Sequence, residues 1–301
     1  MHRPWRLETL STLTLLIAVI SLFFTAGCAR KDAAHTPAAK AGVNMVTIKG
    51  SDTMVHLVSS WAEDFMKTTP DIQVSVTGGG SGTGISALMN GTTDIASSSR
   101  DLSDKEKTQA AQKGLTLKEI PVGLDGLSVI ANPSNPVKAL SLAQLKDIFT
   151  GKITTWKAVG GPDMPILVYS RESSSGTYAF FQEHVLQKQN YTKSARLMPA
   201  SSGIVEAVAA DEGGLGYVGL DYAEKAQGRI HILGVKPDAE STAVMPTVET
   251  VQNKSYPIAR ELYLIVPGKP SEAAQKFVTY AISKEGQNIV QQSGYIPVQH
   301  Q

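Results

Sequence analysis

One cysteine, Cys28, leaves no partner for an intramolecular disulfide, so the fold must hold by packing alone. Aromatic residues make up only 6%, which disfavours a binder of sugars or oligopeptides built on stacking platforms. Trp61 and Trp156 read as core residues, Trp61 falling on the helical spacing of Leu57, Val58 and Phe65. Formal net charge is +1 with 18% charged residues, so no basic stripe suggests nucleic acid, and any anion site must be made locally. The histidines (His2, His35, His56, His184, His231, His300) are scattered without ligand spacing, which suggests neither a metal site nor a catalytic triad. No Walker loop is present, since Gly151-Lys152 is followed by Ile153. Ser81 lies in G-G-S-G-T and lacks the final glycine of a nucleophile elbow. The expectation is a protein that is not an enzyme, such as a phosphoester hydrolase, and that needs no cofactor.

The longest apolar run, residues 10–24, is shorter than the roughly 20 residues that span a bilayer core. It follows Arg3 and Arg6 and ends at Thr25-Ala26-Gly27-Cys28, the pattern of a cleaved targeting segment. Those four residues resemble a bacterial lipobox, with Thr25 where leucine is usual. The reading is a lipoprotein signal peptide over 1–27, lipidation of Cys28, and a flexible Ala-, Lys- and Pro-rich tether over 28–44. An ordinary signal peptide with an incidental cysteine is the alternative.

What remains, from Met45 onward, is long enough for two modest domains. Strand-like runs at 46–49, 73–77, 116–121 and 165–170 alternate with segments of 3.6-residue apolar spacing, which predicts α/β lobes with mainly parallel sheets. Ser141-Leu142-Ala143-Gln144 is a capping-box start. Two closing helices are expected over 271–282 and 284–293, with Gly294 as the cap of the second. Residues 122–131 and 260–266 are extended, apolar and far apart in sequence, and fit the paired crossover strands of a hinge. On that reading 45–124 plus 258–301 form lobe 1 and 125–257 form lobe 2. Ordinary core strands of a single sheet are the alternative.

Three segments put small, donor-rich residues before helical patterns: Gly50-Ser51-Asp52-Thr53, Gly78-Gly79-Gly80-Ser81-Gly82-Thr83, and Ser173-Ser174-Ser175-Gly176-Thr177. At a helix N-terminus the first N–H groups lack intrahelical partners and the dipole is positive, so an anion is stabilised there. One such segment would be an ordinary N-cap; three in one chain carry more weight. Arg100, after Ser97-Ser98-Ser99, and Arg171, after a strand ending at Ser170, sit where strands deliver residues to a ligand crevice. A guanidinium can grip an oxyanion with two parallel hydrogen bonds. A site that prefers phosphate to sulfate also needs an acceptor for the phosphate proton, and a buried carboxylate supplies one. Asp125 is the first candidate and Asp52 the second, the latter also placed to cap a helix.

These residues resemble the phosphate-binding proteins of bacterial phosphate-specific ABC transporters. The likeness runs from Met45 to Gln301 through GSDT (50–53), GGGSGTG (78–84), SSSR (97–100), LDG (124–126), WxxxGG (156–161) and RESSSGT (171–177). It implies a type II periplasmic-binding-protein fold whose two lobes close on phosphate, and delivery to a permease and its ATPase. It also implies an extracytoplasmic, lipid-anchored, monomeric protein. Arg171, Ser175, Gly176 and Thr177 keep the family's spacing, and Thr53 and Ser81 match its first two donor loops. Some members have an aspartate acceptor where this chain has Ser99-Arg100; the shorter branch has Ser-Arg there and Asp-Gly later, which supports Asp125. The expected ligands of phosphate are Ser51, Asp52, Thr53, Ser81, Gly82, Ser99, Arg100, Asp125, Arg171, Ser174, Ser175, Gly176 and Thr177. A binder of another tetrahedral oxyanion (sulfate, molybdate, tungstate) would share the donor loops.

Overall fold

The computed structural model describes residues 44–298. The targeting segment, Cys28 and the tether lie outside the described residues. The described residues form ten strands: β1 Asn44–Gly50, β2 Ile72–Thr77, β3 Ile95–Ser98, β4 Leu117–Ala131, β5 Ala139–Ser141, β6 Leu167–Arg171, β7 Arg196–Met198, β8 Gly214–Gly219, β9 His231–Lys236 and β10 Ala259–Pro267. Helices alternate with them, as the apolar spacing predicts. The sheet path runs β2-β1-β3-β10-β4-β8-β6-β7, with β9 joined to β4 and β5.

Pairing is parallel for β1 with β2 and β3, for β6 with β7 and β8, and for β5 with β9. The antiparallel pairings all involve the two long central strands, β4 and β10. These are the segments whose sequence suggested a crossover. The expected strand at 116–121 is not separate from 122–131; both belong to β4. Pro121 is tolerated in so central a strand because the register with β10 shifts there, Gly123 facing Leu262 and Pro121 facing Tyr263. A bulge removes the ladder bond that proline cannot donate.

β4 runs from one core to another. Its first part faces a core of Val46, Leu57, Trp61, Phe65, Val122, Leu264, Phe277 and Val290. Its last part faces a core of Leu127, Val129, Phe149, Trp156, Phe181 and Tyr217. Two cores on either side of a shared strand pair make two lobes. Ile258 and Ile296 were expected with the first lobe, but their side chains pack into the second core. Ile296 pairs with Leu124, and the Ile258 carbonyl accepts from Leu127 N–H, which holds each against the far part of β4.

Trp61 and Trp156 are fully buried, and each indole N–H reaches a carbonyl: Trp61 Nε1 to Gly286 O at 2.8 Å and Trp156 Nε1 to Gly213 O at 3.0 Å. The Ser141 capping box forms, with reciprocal bonds between Ser141 and Gln144. The closing helices span Glu272–Ile282 and Lys284–Gln292, and Gly294 follows in a left-handed conformation. Among the described residues no helix is long and apolar enough to cross a membrane.

Candidate functional site

The three donor segments converge. The first forms a short 3-10 turn, Asp52–Met54, ahead of helix Val55–Thr68; the second opens helix Ser81–Met89; the third opens helix Gly176–His184. Thr53 Oγ1 lies 2.9 Å from Thr177 Oγ1, and Ser81 Oγ lies 3.4 Å from Ser99 Oγ. Thr53, Ser81, Ser99, Ser175 and Thr177 are all buried, so these hydroxyls are positioned by packing rather than by solvent. A Cβ on Gly176 would stand 2.2 Å from Ser81 Oγ and 2.7 Å from Ser99 Oγ. Only glycine lets helix Gly176–His184 approach the second loop this closely. Gly80 makes the reciprocal approach, with φ of +99° and a notional Cβ 2.5 Å from Ser174 O.

The hydroxyls are oriented by their neighbours. Ser175 Oγ accepts from the N–H groups of Thr177 and Tyr178, and Ser81 Oγ accepts from Ser99 N–H. A hydroxyl whose lone pairs are engaged by amides points its proton elsewhere, which makes it a donor.

Arg171 ends β6 and is buried. Its Nη1 donates to Ser201 Oγ at 2.8 Å and lies 3.2 Å from Asp52 Oδ2. Its Nη2 donates to Pro199 O and its Nε to Met198 O. Burial pulls this guanidinium below its ordinary value, and the Asp52 carboxylate is the main opposing influence. Beside it, burial pushes the Tyr217 phenol up to about 12, so it stays neutral while sharing a 2.6 Å hydrogen bond with Ser170 Oγ.

Asp52 does not cap the turn it belongs to. Its carboxylate crosses to the other lobe, where Oδ2 accepts from Ser201 N–H at 2.8 Å. Ser201 begins helix Ser201–Ala210, a fourth donor-bearing N-terminus that the sequence reading did not include. The signal was present: Pro199-Ala200-Ser201-Ser202-Gly203 has the same small, hydroxyl-rich character as the other three.

Several expected ligands have other partners. Gly82 N–H donates to Ser174 O at 2.9 Å, and Ser174 Oγ donates to Gly79 O at 3.3 Å, so both residues bind the lobes to each other. Ser51 is buried, and its N–H donates to Ser97 O. Arg100 is held in two bonds by Glu106, Nη1 to Oε2 at 2.7 Å and Nη2 to Oε1 at 2.8 Å. Its position follows from this clamp rather than from the donor loops.

Asp125 is held by a buried arginine. Its Oδ2 accepts from Arg260 Nε at 3.0 Å and Nη2 at 2.7 Å, and its Oδ1 accepts from Leu220 N–H at 3.0 Å. Each oxygen therefore has at least one donor, and the residue is fully buried. Burial pushes its carboxyl above the usual carboxylate range, with Arg260 pulling the other way. Arg260 had been read only as one residue of an extended apolar run, in which nothing local marks a charge for burial. Its remaining donor, Nη1, reaches Thr177 Oγ1 at 3.0 Å.

Each of the three arginines near the site therefore has a carboxylate partner: Arg100 with Glu106, Arg171 with Asp52 and Arg260 with Asp125. The charged side chains around the site are thus close to balanced, and the polar groups left outside ion pairs are amides and hydroxyls.

Residues 33–285 match the family described as a PBP superfamily domain. The chain is 35% identical over 256 residues to the phosphate-binding protein PstS of Bacillus subtilis, covering 84% of this chain and 80% of that protein. It is 32% identical over 254 residues to the phosphate-binding protein PstS of a Staphylococcus epidermidis strain, covering 82% and 77%. Among solved structures it resembles a putative phosphate ABC transporter substrate-binding protein with bound phosphate from Clostridium perfringens. That likeness has a TM-score of 0.77 and 36% identity, and covers 85% of this chain and 100% of the other. An ABC-type phosphate transport receptor from Vibrio cholerae is similar at a TM-score of 0.69 and 27% identity, covering 84% and 100%.

Proposed function

Because this chain belongs to the family of the phosphate-binding proteins PstS, within the PBP superfamily, we propose that it captures inorganic phosphate between its lobes and passes it to the permease and ATPase of an ABC transporter. The observation that carries this is the meeting of donor-bearing helix starts from both sides of the β4–β10 pair around Thr53, Ser81, Ser99, Gly176 and Thr177. Phosphate entering an open form bridges these donors and draws the lobes together, its differential affinity for the closed state setting how far the equilibrium moves. Hydrogen bonds to a charged group contribute roughly 1.5–3 kcal/mol each, so a handful offset dehydration and leave the roughly −8 kcal/mol of micromolar binding. The lobes are taken as 45–124 plus 258–301 and 125–257, with β4 and β10 as the hinge.

With Asp125 engaged by Arg260, the acceptor role passes to Asp52. Its carboxylate reaches the donor cluster and remains partly accessible. A phosphate bearing a proton can donate to Asp52, whereas sulfate has no proton to give and meets only the carboxylate's negative charge. Calorimetric titration with phosphate, with sulfate and molybdate as competitors, tests the reading. Tight binding of phosphate that sulfate does not displace is expected; tighter binding of sulfate or molybdate would transfer the site to another oxyanion.

The N-terminal pattern supports an extracytoplasmic protein held to a membrane through lipidated Cys28. Metabolic labelling with palmitate should mark the wild type and not Cys28→Ser. The protein is proposed to act as a monomer, which light scattering with and without phosphate checks. The reading is one of binding and release, with no bond made or broken; phosphate monoesters incubated with the protein should be recovered intact.

A further inference from the structure

We infer that Arg260 and Asp125 form a positioning pair that turns the Thr177 hydroxyl into a donor for the bound anion, an inference that rests on the phosphate-binding reading above. The two residues lie directly opposite each other on the antiparallel β4–β10 ladder. Their side chains are 1% and 0% exposed. Removing two full charges from water is costly, and apolar side chains of similar size would hold such a position at least as well. A buried ion pair here therefore calls for a role beyond packing.

The hydrogen-bond pattern supplies one. Arg260 spends Nε and Nη2 on Asp125 Oδ2, while Leu220 N–H holds Oδ1, so the carboxylate fixes the guanidinium plane from both sides. The Phe180 ring supports that plane, with the guanidinium carbon 5.6 Å from its centroid. Nη1 is left pointing at Thr177 Oγ1, 3.0 Å away. A guanidinium donates and never accepts, so the bond occupies a lone pair of Thr177 and sends the hydroxyl proton away from Arg260. The other group within reach is Thr53 Oγ1, at 2.9 Å, in the first donor loop. Thr177 is thus set to donate toward the place where the loops converge.

The arrangement also joins three parts of the molecule that move relative to one another when lobes close: the strand pair holding Arg260 and Asp125, the helix start holding Thr177, and the loop holding Thr53. Gly219 keeps the last of these against the pair, since a Cβ there would lie 3.1 Å from both Asp125 Oδ2 and Thr53 Cγ2.

Calorimetry with inorganic phosphate on a double-mutant cycle tests this. Thr177→Val should weaken phosphate binding about tenfold to a hundredfold, the loss of one hydrogen bond to a charged group. Arg260→Gln combined with Asp125→Asn, which leaves no lone charge buried, should weaken it by a similar factor. Adding Thr177→Val to that pair should cost little more, because the pair acts through Thr177. Independent, multiplying losses would overturn the inference while leaving phosphate binding by the wild type intact. Failure of the wild type to bind phosphate would instead overturn the underlying reading. If Arg260→Gln/Asp125→Asn does not fold, Arg260→Lys is measured in its place. A lysine variant that binds phosphate like the wild type, or that is also unfolded, would assign the pair to the fold and end the proposal.

Discussion

Asp52 Oδ2 lies 3.2 Å from Arg171 Nη1, a carboxylate of the first donor loop held against the guanidinium that ends β6. The pair crosses from one lobe to the other, and the same oxygen accepts from Ser201 N–H. Asp52→Asn should keep the shape of this contact and remove its charge. The expected outcome is weaker phosphate binding together with sulfate competing at concentrations at least about tenfold lower, the worth of one charge-assisted bond. Sulfate competition identical to the wild type would show that another group accepts the proton.

Arg171→Ala takes donors from Ser201, Pro199, Met198 and Asp52 at once. Phosphate affinity should fall by roughly a hundredfold or more, because the partly buried Asp52 carboxylate also loses its partner. Arg171→Lys should recover little, since an ammonium cannot span partners arranged around a planar fork. Titration calorimetry of the two variants side by side checks both statements.

Gly176→Ala separates binding from stability. The added methyl meets Ser81 Oγ and Ser99 Oγ well inside contact distance, so the loops cannot close as they do here. An open form has no such conflict, and alanine suits a helix better than glycine. The melting temperature without phosphate should therefore change little. The rise produced by excess phosphate, about 2.7 kcal/mol at a hundredfold excess over Kd, should vanish.

Glu106 links stability to pH. Burial raises its carboxyl, but the two bonds from Arg100 and those from Ser103 outweigh it, so its folded value lies below the ordinary one. A depressed carboxylate contributes stability that is present above the unfolded value, roughly pH 4.3, and is lost as pH falls through the folded value. Glu106→Gln should be less stable than the wild type in urea at pH 7, and the gap should close as the pH is lowered below about 4. A gap that persists into acid would mean that the carboxylate's charge is not what stabilises this corner.

Trp61→Phe and Trp156→Phe each leave a buried carbonyl, Gly286 O or Gly213 O, without its indole donor. Each should cost about 1–3 kcal/mol, with a further contribution from the space left by the larger ring. The residues belong to separate cores, so the double variant should lose close to the sum. Urea denaturation of the three variants measures it.

Capping boxes, helix starts rich in small donors, the apolar period of each helix and the left-handed glycine after the last one were legible from residue order. Each depends on residues within a turn or two along the chain, where backbone geometry leaves few choices. The donor loops were found this way, and the Ser201 helix start carried the same mark. Partnerships among charges were not legible in that way. Asp125 with Arg260, Asp52 with Arg171 and Arg100 with Glu106 are each one of many pairings that composition permits. For the first two, strand register and lobe packing bring sequence-distant groups within reach, and Coulomb and desolvation energies then hold them there. Chain-local chemistry thus marks the donor-rich helix starts, whereas three-dimensional proximity decides which carboxylate pairs with which arginine.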